Sequence, residues 1–221
     1  MSNYILPRYD KRTVVVGSTG SGKTYLACWI LSQRDLNHRP WIIIDFKGDQ
    51  LLEDIGAKEI SIFDNPPTRP GLYIVRPIAE VHDDALSQFM WKIWHNENTG
   101  VYVDEGSMLG RNNSAVNALY TQGRSKNIEM ITLTQRPVWC HRSLLSEANH
   151  FYVMRLTNTN DRKYIGEFLG GIEFSRLPRY HAQWYNADEQ EGAFLAPVPD
   201  RKTILNTFQN KLQKERKVSV I

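Results

Sequence analysis

Residues 17–24 read GSTGSGKT and follow TVVV, a β-branched run at 13–16. They match G-x-x-x-x-G-K-[ST] in full, between a strand pattern and a helix pattern, the setting that this motif requires. Gly17, Gly20 and Gly22, with Ser18, Thr19 and Ser21 among them, let the backbone curl into a nest of N–H groups that faces phosphate oxygens, and the following helix adds its dipole. A strand that ends in such a loop commits the chain to parallel strands joined by crossover helices. In this loop Lys23 reaches the β- and γ-phosphates of a bound nucleotide and Thr24 ligates magnesium, so ATP and Mg2+ are the expected ligands.

The rest of the chain keeps the alternation. RTVVVG, WIIIDF at 41–46, GVYVDE at 100–105, IEMITLTQ at 128–135 and HFYVMRL at 150–156 are apolar runs of the kind found in strands buried on both faces. EISIFD and GLYIVRP at 71–77 read as shorter strands around the turn NPPTRPG. Helical patterns occupy TYLACWILSQ, DDALSQFMWKIWHNE, SAVNALYTQGRSKN and DRKYIGEFLGG, the last with a glycine stop. In the second of these, Leu86, Phe89, Met90, Ile93 and Trp94 share one face. The segment 178–200 is less regular and admits an edge hairpin. The expected fold is α/β: a single P-loop NTPase domain over 1–200, with a mainly parallel central sheet flanked by helices. A basic helix or tail follows at 201–221. Its Ile204, Leu205, Phe208 and Leu212 fall on one helical face, and its last basic residues are expected to stay mobile.

Length and composition support one domain: 221 residues suffice for a core, and 41% apolar residues exclude a disordered chain. The net charge of +3 is uneven, because residues 201–221 set six basic residues against Glu215 alone and leave the first 200 slightly acidic. Two cysteines, Cys28 and Cys140, are too few for a disulfide framework and fit a reducing compartment. Cys140 and His141 lack a second ligand pair at zinc spacing. No window has the apolar length of a membrane span, and no signal peptide is expected.

VYVDE at 101–105 ends a buried strand in two carboxylates. Asp104 would hold the magnesium through water. Side chains alternate along a strand, so Glu105 points elsewhere and can orient and deprotonate an attacking water. This carboxylate separates NTPases that hydrolyse to do work from kinases that pass the phosphoryl group to another substrate. Gln135, at the end of ITLTQ, is placed to sense the γ-phosphate. For the arginine that stabilises charge on the transferring group, Arg124 is the first candidate, acting from a neighbouring subunit; Arg136, Arg155 and Arg142 follow.

Four motifs in register, GSTGSGKT, WIIIDFKGD with Asp45, Lys47 and Gly48, VYVDEG, and GRSKNIEMITLTQRP with Thr134, Gln135, Arg136 and Pro137, resemble the HerA and FtsK branch of the additional-strand, catalytic-glutamate ATPases. The resemblance covers about residues 12–156 and implies a RecA-like domain. Within the branch, the compact chain is most similar to the genome-packaging ATPases of tailless icosahedral viruses with an internal membrane, the tectivirus-like group. It implies an ATP-driven hexameric ring that threads double-stranded DNA into a procapsid in the host cytoplasm and at the virion's packaging vertex, against portal or vertex proteins. DNA contact would then be to the backbone and non-specific, through loops carrying Arg111 and Arg142. Other DNA-pumping or phage-assembly ATPases of the branch stay open, as do a P-loop small-molecule kinase, which Glu105 and the Thr-Gln-Arg-Pro strand end disfavour, and a nucleotide-dependent assembly scaffold. No Asn-Lys-x-Asp motif supports a GTPase.

Overall fold

The computed structural model describes residue 6, residues 11–169 and residues 177–218, the last six by backbone alone. Strands are β1 Arg12–Val16, β2 Pro40–Ile44, β3 Lys58–Glu59, β4 Gly71–Val75, β5 Gly100–Val103, β6 Glu129–Thr134, β7 His150–Val153, β8 Ala182–Asn186 and β9 Glu191–Leu195. Helices are α1 Lys23–Ser32, α2 Gln50–Asp54, α3 Asp83–Asn96, α4 Ser114–Gln122, α5 Arg142–Ser146, α6 Thr159–Phe168 and α7 Arg201–Val218.

The strands form one sheet in the order β3-β4-β2-β5-β6-β1-β7-β8-β9. β1 to β7 all run parallel, as the unalternating apolar runs predict, and β8 and β9 add an antiparallel hairpin at one edge. β6 lies between β1 and β5, so a strand is inserted between the phosphate-loop strand and the Asp104–Glu105 strand. This is the additional-strand order that the resemblance implies.

Alternate residues of each buried strand supply two cores. Val14, Ile42, Val101 and Phe151 pack with Phe89 of α3, Leu119 of α4 and Ile165 of α6. Val15, Ile43, Tyr102 and Tyr152 pack with Ile30 of α1, Leu51 of α2 and Ile204 and Phe208 of α7. The tail's helix thus begins as part of the main core, through the face that the sequence spacing marks. Burying each of these side chains stabilises the fold by about 1.5–3 kcal/mol.

EISIFD is mostly turn rather than strand. Asp64 Oδ2 accepts from Ser61 N at 3.2 Å and closes the turn after two paired residues. The helix expected over SAVNALYTQGRSKN stops at Gln122 and continues as a 3₁₀ turn, Gly123–Lys126. The glycine stop after α6 and the mobility of the last basic side chains fall outside the described residues.

Candidate active site

Parallel pairing brings the carboxyl ends of five adjacent strands to one edge. Asp45 follows β2, Asp104 follows β5, Gln135 follows β6, Gly17 follows β1 and Met154 follows β7. Val103 pairs with Thr132, which sets Glu105 level with Thr134.

The phosphate loop is pinned by Gly17 N–H to the Thr134 carbonyl (3.2 Å) and Ser18 N–H to the Arg155 carbonyl (2.9 Å). Ser18 Oγ accepts from Thr157 N at 2.9 Å and lies 3.0 Å from Thr157 Oγ1. Gly22 caps α1 at φ +101°, a left-handed conformation that side chains resist, and a Cβ there would meet the Tyr180 ring at 3.0 Å. No side chain caps α1, so its first N–H groups face the loop unclaimed by one. Lys23 is buried and donates to the Ser18 carbonyl at 3.0 Å. Burial, then the nearby Lys47 charge, lowers its pKa to about 8, against the pull of Glu105 and Asp104. Thr24 sits half-buried in the first turn.

Asp104 is buried, and its Oδ2 has no hydrogen-bond partner among the described residues. Burial raises its pKa to about 6; Lys47 opposes the shift, and Asp45, Asp49 and Glu105 add to it. Glu105 is also buried but differently wired. Oε2 takes Lys47 Nζ at 2.7 Å, and Oε1 accepts from Ser107 Oγ (2.8 Å), Thr134 Oγ1 (2.9 Å) and Gln135 N (3.2 Å). Burial pushes its pKa up, but these donors outweigh burial and hold the group below the usual carboxylate range. Thr134 Oγ1 itself accepts from Arg136 N (3.2 Å) and from the Cys140 thiol (3.2 Å), which leaves its proton for Glu105.

Lys47 owes its place to Asp45, whose Oδ1 accepts from the backbone N–H of Lys47 (3.1 Å), Gly48 (2.9 Å) and Asp49 (3.5 Å). Gly48, at φ +64°, permits that tight turn. Gln135 Oε1 accepts from Thr19 Oγ1 at 2.7 Å while its own N–H holds Glu105, so the sensor position joins the phosphate loop to the carboxylate.

The arginines divide. Arg136 pairs with buried Asp161 at 2.9 Å and lies over the Trp139 ring at 4.1 Å. Arg111 donates to the Trp139 and Val138 carbonyls. Arg155 and Arg142 are exposed, the former beside the phosphate loop. Arg124 is exposed in the 3₁₀ turn that precedes β6, at the amino edge of the sheet. The length of β6, about 20 Å at ~3.3 Å per residue, separates it from this chain's phosphate loop.

A cleft of about 340 Å³ opens beside Gly22, lined by Tyr25, Met154, Tyr180, Val198 and Asp200 among others. It is a site feature that sequence reading missed, because its walls come from segments far apart in the chain. Ser107 and Asp45's cage are local but were missed because a Ser two residues past a carboxylate and an Asp two to four residues before a turn carry no distinctive pattern, whereas the positive φ of Tyr180, 65°, has no sequence signal at all.

No family model matches the chain. A curated relative, the DNA packaging ATPase P9 of Enterobacteria phage PRD1, is 37% identical over 224 residues, covering 96% of this chain and 97% of the relative. The genome packaging NTPase B204 of Sulfolobus turreted icosahedral virus 2, solved in complex with sulfate, superposes with a TM-score of 0.70 at 18% identity, over 87% of this chain and 99% of that one. The same protein in complex with AMPPCP gives a TM-score of 0.69 at 17% identity, over 87% of this chain and 100% of that one. VirB4 of Thermoanaerobacter pseudethanolicus gives 0.64 at 10% identity, over 86% of this chain and 89% of that one.

Proposed function

The chain belongs to the family of the PRD1 DNA packaging ATPase P9, and from that premise we propose that it is the ATP-hydrolysing motor that drives double-stranded DNA into a viral procapsid. The observation that carries the reading is Glu105: a buried carboxylate, held by four donors and joined through Gln135 to the phosphate loop. Such an arrangement serves water attack and has no use in a kinase that must exclude water.

On this reading the loop from Gly17 to Gly22 and the start of α1 take the phosphates, Lys23 moves from the Ser18 carbonyl to the β- and γ-phosphates, and the nucleoside lies in the cleft beside Gly22. Thr24 and Asp104 would hold Mg2+. The partnerless, buried Oδ2 of Asp104 fits a cation, and the ion would neutralise charge on the phosphate oxygens. Glu105 orients the water and takes its proton. Gln135 reports the γ-phosphate to Glu105 and Thr19. Arg124, remote from its own chain's nucleotide, acts on the neighbour's in a ring, read here as a hexamer. DNA contact is non-specific and made to the backbone. Arg142 and Arg111 are both exposed and can make it, Arg111 while also holding the loop after β6 through Nε and Nη2. Portal or vertex proteins at the virion's packaging vertex complete the assembly. No helix among the described residues is long and apolar enough to cross a membrane.

Measuring ATP turnover with and without double-stranded DNA tests the reading. Strong stimulation by DNA supports a motor, turnover that demands a small acceptor supports a kinase, and binding without turnover supports a scaffold. For Arg124, mixing Arg124→Ala subunits with Glu105→Gln subunits is expected to restore part of the activity. No recovery at any ratio removes the trans role.

A further inference from the structure

A carboxylate offers about four acceptor sites, two on each oxygen. On Glu105, three donors crowd Oε1: Ser107 Oγ, Thr134 Oγ1 and Gln135 N. Oε2 receives Lys47 Nζ at 2.7 Å. The oxygen with capacity left for a water is therefore Oε2, and its orientation is set by Lys47.

Lys47 is itself held from behind. The three backbone N–H groups gathered by Asp45 Oδ1 fix the turn, and Asp45 is buried. Arg76 Nε stands 3.4 Å from the other oxygen, Oδ2, so this carboxylate is anchored on both sides. The Lys47 side chain is one-third exposed while that of Glu105 is 3% exposed, so the pair sits at the mouth of the site with the carboxylate inside.

We propose that Lys47 is a positioning residue for hydrolysis, which acts through Glu105 by fixing the one carboxylate oxygen able to accept from the attacking water. In the step it serves, the water oxygen bonds to the γ-phosphorus as the bond to the bridging oxygen breaks. That electron pair stays on the ADP product, and the water's proton passes to Glu105 Oε2. The inference rests on Glu105 being the base.

Its test is a double-mutant cycle on the full chain, read as kcat and as affinity for a fluorescent ATP analogue. Lys47→Met is expected to lower kcat by up to about 10²-fold, the scale of loss when a reacting group is misplaced by an ångström, with nucleotide affinity changed less than roughly threefold. Lys47→Arg, which keeps a cation within reach of Oε2, is expected to recover part of kcat. The decisive term is the combination: Lys47→Met added to Glu105→Gln should cost nothing further, because its effect passes through a base already lost. Additive losses, or a full kcat in Lys47→Met, overturn the inference. If Lys47→Met unfolds, Lys47→Gln takes its place in the same cycle, since the Asp45 turn uses only backbone donors at this position. Full turnover in Glu105→Gln alone would instead sink the assignment of the base.

Discussion

Two buried glutamates on neighbouring strands carry ion pairs of the same length. Glu129 opens β6 at the amino edge of the sheet and lies 2.7 Å from Arg34, with side chains 0% and 4% exposed. Glu105 follows β5 at the carboxyl edge and lies 2.7 Å from Lys47, with side chains 3% and 33% exposed. The burial of the carboxylates and the length of the pairs do not distinguish them. What differs is access and origin: the first pair is sealed between a strand and the end of α1, and the second joins two loops, with the cation open to whatever enters the site. A buried charge pair closed on all sides can only hold the fold, whereas one with an open partner can meet a ligand. The largest expected effect follows from the open pair. Glu105→Gln should cut turnover by up to about 10⁴-fold while leaving ATP bound. Near-normal hydrolysis by this variant would erase the distinction.

The closed pair should answer in stability. Arg34→Met leaves the Glu129 carboxylate buried beside an apolar chain, which costs about 3–5 kcal/mol. Denaturant midpoints measure it, and turnover per folded molecule should stay near wild type because Arg34 is remote from the phosphate loop. A loss below about 1 kcal/mol would mean that Glu129 finds other support, and the two pairs would then differ in less than their role.

The same division explains what the sequence disclosed. Strand ends are legible, because a long apolar run followed by Asp104, Glu105 or Gln135 places each residue at one edge once the strands are parallel. The phosphate loop is local and reads directly. Pairings between loops are not local: Lys47 and Glu105 are 58 positions apart, and the turn that aims Lys47 depends on side chain-to-backbone bonds of Asp45. α2 and α5 span only five residues each, too few for a helical period to show. The hairpin β8–β9 lies at the sheet edge within the segment 178–200 that admits one, but its strand limits are not legible, since its outer strand is largely exposed and lacks the alternation that marks a half-buried one. Exposure of an arginine could be guessed from composition, but the ion pair of Arg136 with Asp161 could not.

The smallest effect extends the comparison to a group that Arg34 also influences. His150 starts β7, stacks on Trp184 at 5.9 Å between ring centroids, and accepts the Trp184 indole N–H on Nδ1 at 3.2 Å. Burial, then the Lys11 charge, lowers its pKa to about 4, with Asp188 opposing and Arg34 adding to the shift. The folded protein therefore keeps a neutral ring where the unfolded chain, titrating near 6.5, takes a proton. The stabilisation is complete above pH 6.5 and is lost as pH falls through that value toward 4, amounting to roughly 3 kcal/mol over the window. Urea unfolding at pH 7.5, 6, 5 and 4 reads it. His150→Gln, which keeps an acceptor for Trp184 but cannot charge, should flatten that part of the slope. Arg34→Met should flatten it partially, since one of the charges that keeps the ring neutral is gone. If all three proteins lose stability in parallel, other groups govern the acid limb, and the closed side of the sheet has no coupling between Arg34 and His150.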